Sequence, residues 1–203
     1  MDTSRLENFK QPEDSLNKEA EIAESRIRGI ERSNSQKTED VSSLQEQHVV
    51  EVLSQNEKLT PEAWKELNQA ERLVAIQDVE NTVAGIQGRT PISIEIDPSL
   101  EKGAFGSYVS DTQSIQVSDW HLQSNDVQEV VNTVVHEGRH AYQDYAIRNP
   151  GFHPNQVEVD AWEENFQNYL PAEIYGQEIY QNQPIEADAW GFGNKVANGL
   201  YAK

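Results

Sequence analysis

The sequence predicts an α+β fold that is mainly helical and has a small antiparallel or mixed sheet beside a long helix. Apolar residues repeat at the 3.6-residue spacing of a helix in two long segments, near residues 69–87 and 127–148. A short region between these segments alternates with period two, as strands do. This order of helices, short strands and helices gives the fold class.

Residues 1–58 differ in composition from the rest of the chain. They carry 13 acidic and 8 basic residues, much Ser, Gln and Asn, and few aromatic residues. Residues 14–32 have a thin apolar stripe that is compatible with a charged helix. We expect residues 1–58 to be a polar, flexible or loosely helical N-terminal arm, with docking to a partner as the alternative. Residues 59–203 are then the folded domain.

Two helices are expected at the start of this domain. Thr60 is an N-cap and Pro61 takes the first helical position, which predicts a short helix to about Leu67. A longer helix is predicted for residues 69–87, because Gly88 is a suitable C-terminal cap. Its apolar stripe predicts a face that packs into the core.

Short strands follow these helices. Residues 92–96 alternate between apolar and polar side chains, and residues 108–109 and 114–117 form a pair joined by a turn. The segment 103–117 is the candidate for an exposed edge strand next to the following helix. A sheet that only packs against that helix is the alternative.

The following helix carries the most informative motif of the chain. It begins at the caps Ser124-Asn125-Asp126 and ends at Asn149-Pro150-Gly151, because proline cannot continue a helix. A valine-rich stripe along it predicts a buried face. Inside this helix lies His136-Glu137-Gly138-Arg139-His140, which has the pattern H-E-x-x-H.

The spacing of this motif suits a metal-dependent hydrolase. His136 and His140 lie four residues apart, and therefore on one helix face about one turn from each other. Two imidazoles in this arrangement can bind one Zn²⁺ ion, and Glu137 is placed to take a proton from the attacking water. The alternative is that both histidines are ordinary polar residues of an amphipathic helix.

The sequence offers two candidates for a third ligand. A catalytic zinc usually takes three protein ligands, and the chain has no cysteine. The pattern E-x-D-A-W occurs twice after the motif, at Glu158–Trp162 and at Glu186–Trp190. Either glutamate can supply a carboxylate from a second helix, and an aspartate such as Asp188 can orient a histidine. These patterns leave both glutamates open.

From about residue 60 to residue 202 the chain resembles zincin metallopeptidases of the gluzincin type. More narrowly, it is similar to the metallopeptidase domains at the C-termini of bacterial secreted toxins and effectors. The segments that carry this resemblance are His136–Gln143, Trp162–Phe166 and Gln183–Ala189. The chain lacks both the long C-terminal lobe of thermolysin and the third histidine of the metzincins, so it resembles a minimal zincin.

The resemblance implies a zincin-like domain that hydrolyses peptide bonds with Zn²⁺ as its cofactor. It implies His136, His140 and Glu186 as the metal ligands, with Glu158 as the alternative to Glu186, and Glu137 as general base and acid. It also implies that an extended substrate pairs with the edge strand.

Zincins often use a tyrosine or a histidine to donate to the oxyanion of the tetrahedral intermediate. Tyr175 and His153 are the candidates in this chain, because both lie in the aromatic-rich region after the motif helix. A position in the core or in a loop is the alternative for each.

The charge of the chain restricts its partners. It has 35 acidic and 16 basic residues, a net charge of −19, of which −14 lies on residues 59–203. Such a surface repels phosphate backbones, so nucleic-acid binding is not expected, whereas basic substrates or partners are favoured. No apolar run approaches the length of a membrane span, and the N-terminus lacks the features of a signal peptide. We expect a soluble protein, cytoplasmic or exported without a classical signal peptide.

The expected function is zinc-dependent hydrolysis of peptide bonds in a protein or peptide substrate. Two other functions stay open. One is a non-catalytic module that keeps this fold in order to bind a partner. The other is a zinc hydrolase that acts on an amide outside proteins, for instance in a cell-wall peptide.

Overall fold

A computed structural model describes residues 25, 28–29, 32–33, 41–100 and 103–202 of the chain. The first part of the predicted arm, residues 1–24, lies outside the described residues. The predicted charged helix at residues 14–32 therefore lies largely outside them as well.

The described chain consists mainly of helices, with three short strands in its first half. In chain order the elements are α1 (residues 41–53), a 3-10 helix (Glu57–Leu59), α2 (Pro61–Glu66), α3 (Gln69–Gln87), β1 (Ser93–Ile96), β2 (Gly106–Val109), β3 (Ser114–Val117), α4 (Asp119–Leu122), α5 (Val127–Arg148), α6 (Gln156–Gln167), α7 (Ala172–Tyr175), α8 (Gln177–Gln181) and α9 (Pro184–Tyr201). The predicted class, an α+β fold that is mainly helical with a small sheet, is confirmed.

Local sequence signals fix the start of each of the two longest helices. Asn68 caps α3 by accepting a hydrogen bond from the backbone N–H of Glu71, whose carboxylate accepts one from the N–H of Asn68. Asp126 caps α5 in the same way by accepting from the N–H of Glu129. Both helices cover the predicted ranges.

The sheet is mixed. Its central strand, β3, pairs in parallel with β1 (Ser93 opposite Ser114) and antiparallel with β2 (Gly106 opposite Val117). β2 therefore lies at an edge of the sheet, and it contacts α5. The predicted edge strand within residues 103–117 corresponds to β2.

The valine stripe of α5 lies at the centre of the main core. Its five valines are at most 2 % exposed: Val127, Val130, Val131, Val134 and Val135. They pack with apolar side chains of α3, of the sheet and of α9. Because full burial of one valine contributes about 1.5 kcal/mol or more, this stripe fixes the position of α5. A second apolar cluster around Tyr142 and Trp162 covers the C-terminal half of α5.

The main core also includes residues that the sequence places in the N-terminal arm. Val49 and Leu53 of α1 are buried in it, and Glu46 forms an ion pair with Lys195 of α9 at 3.1 Å. The packed part of the chain therefore includes α1 and does not begin at residue 59. The two buried apolar residues of α1 lie four positions apart, a spacing that the polar average composition of residues 1–58 conceals.

The long helices α3, α5 and α9 each contain three or more charged residues. Across the ranges that the structure describes, no helix is both long enough and apolar enough to cross a bilayer.

Candidate metal centre

The motif helix brings three polar side chains together in a buried place. The Nε2 atoms of His136 and His140 are 3.1 Å apart, and the two rings are almost perpendicular, at 89°. A carboxylate oxygen of Glu137 lies within 4.8 Å of the metal-binding nitrogens of both rings. All three residues are less than 9 % exposed, as expected from their position beside the valine stripe.

A fourth side chain reaches this cluster from α9. Pro184 starts α9, and Glu186 in its first turn is only 2 % exposed. Its Oε2 atom is 3.4 Å from Nε2 of His136, and its Oε1 atom is 3.6 Å from Nε2 of His140. Oε2 is buried and has no hydrogen-bond partner in the described part of the chain.

These distances suit a metal ion. Three N and O ligands about 2.0–2.1 Å from one ion in tetrahedral geometry lie about 3.3 Å from each other. The separations among His136, His140 and Glu186 are 3.1, 3.4 and 3.6 Å. A buried carboxylate oxygen without a partner is costly, and a cation between these atoms removes that cost. The cluster can therefore hold a metal ion.

Charge in the cluster also favours a cation. Burial lowers the pKa of His140, but the close carboxylate of Glu186 and the charge of Glu137 prevail and raise that pKa to about 9. Burial raises the pKa of Glu186, yet the close imidazoles of His136 and His140 bring it well below its usual range. Negative charge is thus concentrated where two imidazoles meet.

The orientation of His140 is fixed from behind. Its Nδ1–H donates to Oε1 of Gln143 at 2.9 Å, and the amide nitrogen of Gln143 donates to Asp188 at 2.7 Å and to the carbonyl of Ile185 at 3.0 Å. Because the Gln143 nitrogen donates to two acceptors, its oxygen has to accept from His140. When His140 is neutral, as a metal ligand is, its lone pair is then on Nε2, which faces the cluster.

Asp188 therefore acts on a histidine through Gln143 and touches neither ring. Its carboxylate also binds Arg139, with contacts of 2.8 and 2.9 Å. Arg139 occupies a variable position of the motif, is 1 % exposed and lies against the rings of Tyr142 and Phe192. This arginine is a residue that the motif alone does not reveal, and it joins α9 to α5 beside the metal ligands.

His136 is covered by α9. The ring of Trp190 packs on it with a centroid distance of 4.5 Å. Gly193, one turn further on, makes this approach possible, because a Cβ atom there would lie 3.5 Å from Cβ of His136 and 2.5 Å from Oδ1 of Asn132. A larger side chain at this position would separate α9 from α5 and move Glu186 with it.

Two cavities meet at the cluster, with volumes of about 630 and 370 Å³. His136 and Glu137 line both of them, and so do Gly106, Tyr169 and Tyr180. His140 and Glu186 line only the smaller one. The candidate ligands therefore lie at the junction of a continuous cleft that a substrate can enter.

The edge strand β2 forms one wall of this cleft. The N–H of Ser118 donates to the carbonyl of Phe105, so in the alternating antiparallel pattern Gly106 and Tyr108 direct their backbone groups away from β3. Gly106 also lets the strand approach the motif helix, because a Cβ atom there would lie 2.9 Å from Cγ2 of Thr133. β2 thus has free backbone groups next to Glu137.

Two tyrosines close the opposite side. The hydroxyl of Tyr169 donates to Oε1 of Glu186 at 2.8 Å, and the ring of Tyr180 lies 6.1 Å from that of Tyr169. Burial raises the pKa of both tyrosines, and the charge of Glu186 raises it further, so both hydroxyls keep their protons. Gln183 fixes the segment between them, because its amide bonds both backbone groups of Leu170.

The predicted oxyanion donors lie elsewhere. Nδ1 of His153 accepts from the hydroxyl of Tyr142 at 2.9 Å, and its Nε2–H donates to Glu158 at 2.8 Å. Tyr175 is 47 % exposed, and neither His153 nor Tyr175 lines the two cavities at the cluster. Tyr169 and Tyr180 line both cavities instead, and the short helices near them gave no periodic signal in the sequence.

Glu158, the alternative third ligand, is also placed elsewhere. Glu158 belongs to α6, and its side chain is 42 % exposed and paired with His153. The structure thus brings Glu186 to the two motif histidines and leaves Glu158 outside the cleft.

Comparison with protein-family models, with curated proteins and with solved structures finds no match to this chain.

Proposed function

We propose that this protein is a zinc-dependent metallopeptidase that hydrolyses peptide bonds in the cleft between β2 and α9. The observation that carries the proposal is the buried triangle formed by Nε2 of His136, Nε2 of His140 and a carboxylate oxygen of Glu186. Glu137 lies beside this triangle and has no hydrogen bond or ion pair within the described chain.

The donor set favours zinc. Two neutral imidazoles and one carboxylate are a known ligand set of catalytic zinc, and hard cations such as Mg²⁺ prefer oxygen ligands alone. Three protein ligands leave one coordination position open. A bound zinc ion supplies a Lewis acid that makes a water molecule nucleophilic near neutral pH.

Glu137 is the proposed general base and acid. Its carboxylate has no hydrogen bond or ion pair to any residue that the structure describes, and at 8 % exposure it is shielded from bulk water. It accepts a proton from the attacking water and returns it to the amine that leaves. A carboxylate that was already paired with an arginine or a lysine would be a much weaker base.

β2 is the proposed binding edge for the peptide main chain. The backbone groups of Gly106 and Tyr108 point away from β3, so an extended peptide can add to the sheet beside Glu137. Tyr180, and Tyr169 once its bond to Glu186 opens, are the proposed hydrogen-bond donors to the oxyanion.

Substitution of Glu137 tests this function directly. Glu137→Gln should abolish hydrolysis of a broad peptide library and still bind one equivalent of zinc, whereas His136→Ala should lose both. Glu163→Gln, at an exposed position of α6, is the control for the loss of one negative charge. Full activity of Glu137→Gln, or equal activity with and without a chelator, would contradict the proposal.

A further inference from the structure

The larger cavity next to Glu137 differs from the smaller one in its lining. It has a volume of about 630 Å³, within the range of about 300–1,000 Å³ that is common for ligand sites. It extends from His136 and Glu137 along α5 in the direction of Glu129, away from His140. A side chain of a substrate bound at the cluster can enter it directly.

We propose that this cavity binds the side chain of a lysine or arginine, so that the protein cleaves peptides next to a basic residue. This inference rests on the proposed peptidase function and adds its substrate class.

The charged residues that line the cavity, among those that the structure describes, are all acidic. Glu129 of α5 and Glu173 of α7 contribute carboxylates from two different walls, and Glu137 contributes one at the junction with the cluster. None of the described lining residues is a lysine or an arginine, and none of the three carboxylates forms an ion pair within the described chain. Glu137 is more than nine-tenths buried and adds negative charge at the inner end of the cavity. Glu129 and Glu173 are the carboxylates that pair with the cation, so Glu137 stays available as the base.

Aromatic rings form the remaining sides. Phe105, Trp190 and Tyr180 line the cavity from the strand side, from α9 and from the segment after α7. Such rings pack against the aliphatic part of a lysine or arginine and attract its charged end. Apolar walls with carboxylates fit a long side chain that ends in a cation, and they disfavour an acidic one.

The charge of the whole chain acts in the same direction. With a net charge of −19, the protein attracts basic peptides and raises their rate of encounter. This long-range attraction does not select the position of the basic residue in the peptide. The cavity does, because only one position of a bound peptide reaches it.

The test uses the zinc-loaded full chain and a panel of peptides that differ at a single position near the scissile bond. The panel carries arginine, its neutral isostere citrulline, lysine, norleucine or glutamate at that position. We expect kcat/KM to be about tenfold higher for arginine than for citrulline at one position only. Two partly exposed ion pairs, each of which raises kcat/KM by up to about fivefold, account for this factor.

Three variants separate local recognition from general attraction. Glu129→Gln together with Glu173→Gln should remove most of the preference for arginine over citrulline. Glu178→Gln together with Glu163→Gln removes the same charge from exposed positions outside the cavity and should leave the preference intact. Equal loss in both double variants would overturn the proposed cavity site, and so would equal cleavage of the arginine and citrulline peptides.

Binding separates a failure of this inference from a failure of the peptidase function. Affinities of the same peptides for Glu137→Gln, which keeps Glu129 and Glu173, are measured by fluorescence anisotropy. Tighter binding of the arginine peptide without any cleavage by the wild-type protein supports the cavity and contradicts the peptidase. Cleavage without selectivity at any position contradicts the cavity alone.

Discussion

Two segments of this chain have the same E-x-D-A-W pattern and opposite surroundings. In α9, Glu186 is buried between His136 and His140. In α6, the side chain of Glu158 is 42 % exposed and is paired with His153. Both segments lie at the start of a helix that packs on α5, so neither the pattern nor the type of element accounts for the difference.

The part of α5 that each helix contacts accounts for it. α9 packs beside the turn of the motif, where Gly193 permits a close approach to His136. α6 packs on the second apolar cluster, near Tyr142 and beyond the motif. The segment of α5 that a helix packs against therefore decides whether its glutamate reaches the motif histidines.

The aspartates of the two segments, Asp188 in α9 and Asp160 in α6, should show the largest difference between the two helices. Asp188→Asn leaves the buried guanidinium of Arg139 without its carboxylate, which should destabilise the protein by about 3 kcal/mol. This is the lower end of the usual range, because a quarter of the Asp188 side chain is exposed. Asp160→Asn, whose carboxylate accepts only from Gln156, should stay within about 0.5 kcal/mol. Urea denaturation of both variants measures the difference, and similar midpoints would show that Arg139 does not depend on Asp188.

The two glutamates provide the next test. Glu186→Ala removes a proposed metal ligand and should weaken zinc binding by more than about 100-fold. Loss of a residue that only orients a ligand weakens metal binding by about 10- to 100-fold. Glu158→Ala should retain the wild-type zinc content. Metal analysis after dialysis and competition with a chelating dye measure both. If Glu186→Ala kept its zinc while Glu158→Ala lost it, the assignment of the two helices would be reversed.

Local sequence was sufficient for the fold class and for the two motif histidines. The capping box at Asn68 and the valine stripe of α5 are local patterns, so α3 and α5 could be predicted with their ends. His136 and His140 share a face by helix geometry alone. Which glutamate meets them depends on how α6 and α9 pack, and no residue within either E-x-D-A-W segment encodes that.

The same reason explains the residues that sequence analysis did not find. Tyr169 precedes α7, which has four residues, and Tyr180 lies within α8, which has five; both helices are too short for a periodic pattern. Arg139 is recognisable only by its partner Asp188, 49 positions away. Gln143 is an unremarkable glutamine until the direction of its amide is known.

Gln143 connects Asp188 to the candidate metal centre, because its amide bonds both Asp188 and His140. Gln143→Leu keeps the size of the side chain but removes the acceptor of the His140 Nδ1–H, so zinc affinity should fall about 10- to 100-fold. Nitrogen-15 NMR of the imidazoles should show a mixture of tautomers at His140 in this variant and one tautomer in the wild type. Asn165→Leu, which removes a buried amide outside the His140 contacts, is the control and should leave the His140 tautomer unchanged. An unchanged tautomer and zinc affinity in Gln143→Leu would show that Asp188 has no influence on His140.

For the two tryptophans, the substitution in α6 should destabilise the protein more than the substitution in α9, the reverse of the order for the two aspartates. Trp162 is 2 % exposed in the second cluster and packs on His153 with a centroid distance of 4.8 Å, so Trp162→Phe should cost about 1–2 kcal/mol. Trp190 is partly exposed, and its indole N–H is buried without a partner in the described chain, so Trp190→Phe also removes an unsatisfied donor. Its cost should be below about 1 kcal/mol, which thermal and urea unfolding can resolve from that of Trp162→Phe. A larger cost for Trp190→Phe than for Trp162→Phe would mean that the contact of Trp190 with His136 stabilises the fold more than the packing of Trp162 in the second cluster does.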